Sequence, residues 1–409
     1  MHVSLDSALG RQRRLNSVGE SVLQIAPNAA AAYSLRSLTG GDPKVVRVRR
    51  GSNNVESDFT ASGVSSGALL DFVTTSQIGW NVQPTFSNDS GTGSVTSQSS
   101  TATTATVAFT GDADLIRQTS KPNHVLGSSG DQVIFNISVS GLDSTGTLRL
   151  RTSGTNTTVG SSNVSNGDNQ DITLNLTGSA GYLAITAVAS SGGTITFNSI
   201  KVLPKSGFVE TWYDQSGNGK DAVQETAANQ PLLVASGVVL SGLDFDGSTS
   251  SKTLVAPSVT GLAGSLSIFS VSVRDATGNT VSLSNSSSGG RYFAIQEGGS
   301  TSVANPRNIT SITVSDSVSG ANRLTFAVTT GATSTSVGAN SSAVTTTTDD
   351  YGDDFSGTHI NQIAIGVLRT ASPTGYFNGR INEILVYNSD QTDNRSAVET
   401  NINSHYSLF

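Results

Sequence analysis

The sequence predicts an all-β protein: two antiparallel β-sandwiches, the second a jelly roll inserted in a loop of the first, with one C-terminal helix. Three observations predict it. Apolar residues recur at every second position through most of the chain, clusters of Gly, Ser, Asn and Asp interrupt these runs at short intervals, and helical spacing occurs only after Asp390.

Taken in order, residues 29–72 do not make a domain: they offer AAYSLRSL, the strand-like VVRVRR and a short polar stretch, and they need partners from elsewhere. The jelly roll is expected over 73–205. Its half-buried strands show in Val133, Phe135, Ile137 and Val139, in Leu148 and Leu150, in Ile172, Leu174 and Leu176, in Leu183 and Ile185, and in Ile195 and Phe197. A second set follows with different spacing: Phe269, Val271 and Val273; Leu324, Phe326 and Val328; Ile363 and Ile365; Ile384 and Val386. The simplest arrangement joins 29–72 to 206–409 as one sandwich and places 73–205 in a surface loop, where insertions are best tolerated. In the last segment Val398, Ile402 and Tyr406 fall at i, i+4, i+8, so a helix over Thr392–His405 faces the sheet, with Asp390 as its cap.

Composition narrows the function classes. A chain of 409 residues exceeds the size at which one hydrophobic core stops growing. Charged residues make up 13% of it, against about 25% in a typical protein, so the surface is polar and neutral. A net charge of -7 with pI near 5.1 argues against nucleic acid as a partner. The basic residues Arg11, Arg13 and Arg14, then Lys44, Arg47, Arg49 and Arg50, read as arm or strand charges that dock on another protein surface. No stretch of 18 apolar residues occurs and the N-terminal segment lacks a secretory apolar core, so neither a membrane span nor export is expected. Without cysteine, stability rests on packing and sheet hydrogen bonds.

Three segments, AAYSLRSL with VVRVRRGSNNVESDF, TWYDQSGNGKDAVQ, and GYFNGRINEILVYNSDQTDNRSAVETNINSHY, resemble in that order parts of the catalytic domain of the fungal α-L-arabinofuranosidase B family. The resemblance covers about half of the chain and implies a concanavalin-A-like sandwich for 29–72 and 206–409. It is also similar to the lectin-like modules of phage particles, and the leader VSLDSALGRQRRLNSVGES resembles the phage version. The family implies a retaining glycosidase, which needs a nucleophile and an acid/base carboxyl about 5–5.5 Å apart. Its nucleophile lies in an Asp-Leu-Glu-Asn-Gly stretch, for which AIQEGG is the counterpart and places Glu297 at the nucleophile. Its acid/base lies in a Gly-Gly-Asp-Asn-Ser stretch; here IGVLRTASPTGYFNG carries no carboxylate. The family's vicinal disulfide cannot form either.

The sequence therefore predicts a non-enzymatic structural protein at the surface of a phage particle, a tail fibre or capsid decoration. Residues 1–28 would be an anchoring arm toward neighbouring subunits, the sandwiches would be displayed to a host-surface glycan, and the chain would form homo-oligomers. The alternative is a glycan-binding or glycan-degrading protein related to arabinofuranosidases. Candidate ligand contacts are Glu297, Trp80 and Tyr182, each with a plainer reading: Glu297 as a solvated hairpin carboxylate, Trp80 packing the base of the jelly roll, Tyr182 at a sheet edge. No cofactor is expected. Four scattered histidines do not suggest a transition-metal site, while Asp349, Asp350, Asp353 and Asp354 could hold calcium or simply form a solvated acidic loop. YDQSGNG reads as a scaffold turn, with Asp214 and Asn218 meeting backbone N–H groups, and Gly217 and Gly219 taking positive φ. Trp212 and Tyr213 alternate, so one of them faces the core.

Overall fold

The computed structural model describes residues 19–78, 84–118, 127, 129–152, 157–247, 252–259, 265–284, 292–297, 301–304, 312–314, 320–330, 334–340, 344–347, 361–368 and 375–409. It is all-β, with large antiparallel sheets and a C-terminal helix. Strands drawn from Ala31–Thr60 and from Gly207–Tyr387 hydrogen-bond into one sheet system, and strands within Gln77–Leu203 form another. Each has its own apolar core.

In the larger system one layer centres on strands Ser267–Ala276 and Asn378–Tyr387, which pair with each other and with Asn322–Thr330 and Ala31–Ser34. The facing layer runs through Leu254–Pro257, Gln362–Ile365, Gly278–Ser284 and Tyr292–Glu297. Ile268, Ile384 and Val386 from the first layer meet Leu254, Leu283, Ile295 and Ile363 from the second. The opposite face of the first layer is apolar too: Phe269, Val271, Phe326, Leu385 and Tyr387 are covered by Val398 and Ile402 of the helix Arg395–Tyr406 and by Val22 and Ala26. A strand covered on both faces loses its alternation, which explains the continuous apolar run ILVY at 384–387.

The inserted module is organised by one long strand, Tyr182–Leu203, which pairs along its length with Ala105–Gln118, Gln132–Ser140 and Gly146–Arg151. The alternating residues Phe135, Ile137, Leu148, Leu150, Ile185, Ile195 and Phe197 share its core. Its two ends lie together, because Gln77–Ile78 pairs with Lys201–Val202. The junction is tied by Asp131 Oδ1, which accepts from Lys205 N at 2.7 Å, and by Gly51 N, which donates to Ser206 O at 2.9 Å.

Three expectations are corrected. The anchoring arm 1–28 is not wholly an arm: residues 1–18 lie outside the described residues, but Val22 and Ala26 are buried in the core, because a one-turn helix Val22–Ile25 offers its apolar side to the C-terminal helix. Asp390 does not cap that helix. Its Oδ1 accepts from Thr392 N and Oγ1 at 2.9 and 2.6 Å, forming an Asx turn, and the helix begins three residues later at Arg395 behind Asn394. Lys44, Arg47, Arg49 and Arg50, expected to dock on another protein surface, find partners within their own fold. Lys44 and Arg47 pair with Asp58, Arg49 bonds Gln230 and Asn54 and lies over the Phe208 ring, and Arg50 lies over Phe72. Arg11, Arg13 and Arg14 are outside the described residues.

Candidate functional site: a polar cleft beside the 214–220 turn

Strand Gly207–Trp212 pairs with Lys44–Arg50 and delivers the chain into the YDQSGNG turn. Trp212 is the residue that enters the core, 5.6 Å from the Tyr33 ring centre, while Tyr213 stays half-exposed and donates its hydroxyl to Asp58 at 2.7 Å.

Asp214 organises the turn. Its Oδ1 accepts from Ala32 N and Ser216 N, both at 2.9 Å, and its Oδ2 from Ser216 Oγ at 2.7 Å and Lys220 N at 3.0 Å. This is the expected scaffold role for Asp214. Asn218 differs from expectation: its amide donates to the carbonyls of Ala29 and Ala30 at 2.8 and 3.3 Å, so it satisfies backbone acceptors instead of N–H groups. Gly217 and Gly219 sit at φ +86° and +66°, the left-handed region that favours glycine. Gln215 is buried and completes the stitching, accepting from Leu38 N and donating to the carbonyls of Ser34 and Arg36. The Tyr33 hydroxyl donates to Lys220 O; burial first, then the nearby Asp214 and Asp221 carboxylates, raise its pKa well above the usual tyrosine value.

Where this turn meets segment 28–30, a cleft of about 470 Å³ opens, lined by Asn28, Ser216, Asn218, Lys220, Asn388 and Val259 with the backbone of Ala29 and Ala30. A smaller recess of about 250 Å³ adjoins it through Asn28, Ala29 and Ser216 and adds Gln24, Thr39 and Gln215. Asn28 holds φ +64° at the saddle between the two. The lining is amide, hydroxyl and one ammonium. The amides and the hydroxyl both donate and accept while the ammonium only donates, a pattern that orients a polyhydroxylated molecule.

Glu297, expected as a ligand contact or as a solvated hairpin carboxylate, is neither in this structure. Phe293, Ile295 and Glu297 share one face of their strand, that face is the interior of the sandwich, and Glu297 is 0% exposed. Its Oε1 accepts from Ser272 Oγ at 2.7 Å and Thr325 Oγ1 at 3.1 Å, and Oε2 has no hydrogen-bond partner among the described residues. Burial raises its pKa, opposed by Ser272, Arg323, Thr325 and Arg274. Tyr182 is half-buried at the first residue of its strand, opposite Arg151. The structure therefore does not bring Glu297 and Tyr182 into the cleft. Trp80 and the acidic residues Asp349, Asp350, Asp353 and Asp354 lie outside the described residues, and among the described residues no cluster of His, Asp or Glu could hold a metal ion. Sequence reasoning missed Asn28, Lys220 and Asn388. Lys220 stood next to the YDQSGNG turn, but nothing local says that it borders a recess closed by residues 28 and 388.

Fold and cleft together define a β-sandwich protein with an amide-lined surface recess. No family model matches the chain, and no curated protein matches it. Solved structures similar to it include an arabinofuranosidase complexed with arabinofuranosyl-α-1,2-xylobiose, at 11% identity, covering 94% of this chain and 64% of that one with a TM-score of 0.46. They also include the CBM40 of a Ruminococcus gnavus IT-sialidase bound to α2,3-sialyllactose, at 15% identity, covering 39% of this chain and 92% of that one with a TM-score of 0.31. A third is the NanB sialidase of Streptococcus pneumoniae, at 18% identity over 33% of this chain and 24% of that one, TM-score 0.30, so this chain spans about a quarter of that protein. The expectation of a non-enzyme is corrected on this finding, since an arabinofuranosidase and a sialidase are enzymes.

Proposed function

We propose that this chain is a glycan-binding or glycan-degrading β-sandwich protein whose glycan lies in the cleft between the 214–220 turn and residues 28–30. The observation that supports this is the lining itself: among the described residues, three asparagines, a serine and a lysine around about 470 Å³, with Val259 as the one apolar side chain larger than alanine. That volume lies within the range of small-molecule sites, about 300–1,000 Å³. Binding is the part the geometry supports better. Degradation by a retaining mechanism needs two carboxyls about 5–5.5 Å apart, and Glu297, to which the resemblance assigns the nucleophile, is enclosed by the sandwich. The setting expected from the sequence, a phage-particle surface, stays a proposal; the cleft favours a glycan-directed role over a purely structural one.

A glycan array followed by calorimetry tests the reading, with reducing-sugar release measured in parallel. Binding is expected, and it should weaken several-fold in Asn28→Gly, which deletes the exposed amide while suiting φ +64°. A broad array that captures nothing, together with no sugar release, would set the proposal aside.

A further inference from the structure

We propose that the cleft selects a saccharide that carries a carboxylate, such as a hexuronic acid, with the Lys220 ammonium as its counter-ion. The proposal rests on the glycan reading above and specifies its ligand. Lys220 is the single charged residue among the described residues lining the cleft. Its backbone is engaged on both sides, N–H by Asp214 of the turn and C=O by the Tyr33 hydroxyl of strand Ala31–Ser34, which leaves the ammonium as the group it can offer. That ammonium enters no ion pair among the described residues; the lysines that do are Lys44 and Lys252.

The neighbouring carboxylates do not compensate it from within the cleft. Asp214 is surrounded by four donors of the turn and of Ala32, and Asp221 accepts the Asp214 N–H at 2.9 Å. Asp214 serves three backbone N–H groups and the Ser216 hydroxyl, Asp221 serves a backbone N–H, and neither lines the recess. A charge in a recess is screened less than one on an open surface, and a charge-assisted hydrogen bond is roughly twice as strong as a neutral one. A ligand carboxylate therefore gains more at Lys220 than a hydroxyl in the same place. The net charge of -7 repels anions at a distance, so the preference acts at contact and appears in the dissociation rate instead of the association rate.

The experiment compares matched pairs on the full chain by calorimetry and surface plasmon resonance: trigalacturonate against its methyl ester, and sialyllactose against lactose. Each acid should bind about tenfold more tightly than its neutral partner, the difference lying in dissociation. Lys220→Met should abolish the preference and Lys220→Arg should keep most of it; near-UV circular dichroism checks that the turn, which uses only the backbone of residue 220, is intact. Equal binding of acid and neutral partners, or a preference unchanged in Lys220→Met, overturns the acidic ligand while leaving a glycan-binding protein. Failure of every saccharide to bind overturns both readings.

Discussion

Replacing Asp214 by alanine removes four hydrogen bonds at once, and their environments set the cost. The Ala32 N–H is in a strand with Ala32 fully buried, so water cannot replace the carboxylate there; an orphaned buried donor costs about 1–3 kcal/mol. The Ser216 N–H, Ser216 Oγ and Lys220 N–H belong to a half-exposed turn and can be rehydrated, so each loses about 0.5–1 kcal/mol. The sum is about 4 kcal/mol. Asp214→Asn keeps an acceptor for Ala32 and Ser216 N–H but turns an amide donor toward the Lys220 N–H, a loss of about 2 kcal/mol. Urea unfolding monitored by tryptophan fluorescence reads this directly, with Trp80→Phe in every variant so that Trp212, buried two residues before Asp214, is the reporter. The expected order of stability is parent, Asn, Ala. An alanine variant within about 0.5 kcal/mol of the parent, or an asparagine variant as unstable as alanine, would refute the view that this carboxylate holds the turn to strand Ala31–Ser34.

Two further outcomes are expected. Glu297 has a folded-state pKa raised by burial above its ordinary 4.5, so its contribution to stability is whole below that value and is lost as pH rises through the folded value. Thermal melts of Glu297→Gln and parent should thus diverge in the variant's favour from about pH 4.5 upward; a difference that does not change with pH contradicts the assignment. Arg36 binds the buried Glu383 through Nε and Nη2 at 2.7 and 2.8 Å, and Tyr406 adds a hydroxyl at 3.1 Å. Arg36→Met strands that carboxylate and should cost about 3–5 kcal/mol by denaturant titration, with Arg36→Met/Glu383→Gln recovering a good part of it; equal losses in the single and double variants would show that the pair is not the cause.

The fold was legible where local chemistry is decisive. Alternation at Phe135/Ile137 and Leu148/Leu150 marks strands whose apolar side must be covered, and both pairs are in the inserted core. The glycines of the 214–220 turn take the positive φ that the sequence assigned them. Local spacing misled at Asp390, where an aspartate two residues before a threonine suits an Asx turn as well as a helix cap, and the helix-free reading of 61–74 missed short helices at Ala61–Ser65 and Ala68–Thr74.

By itself the sequence determined the all-β class, the antiparallel strands, the terminal helix and the glycine positions of the turn, because each arises from residues close together in the chain. Tertiary structure alone decided which side of each strand is interior. A period of two marks two faces without saying which is dry, so Trp212 and not Tyr213 entered the core, and Glu297 went into the sandwich instead of solvent. It also made the cleft, whose walls at Asn28, Asn218, Lys220, Val259 and Asn388 come from four separate parts of the chain. No local pattern encodes their meeting, which depends on the pairing of Ala31–Ser34 with Asn378–Tyr387 and on Asp214 reaching back across the sheet to Ala32.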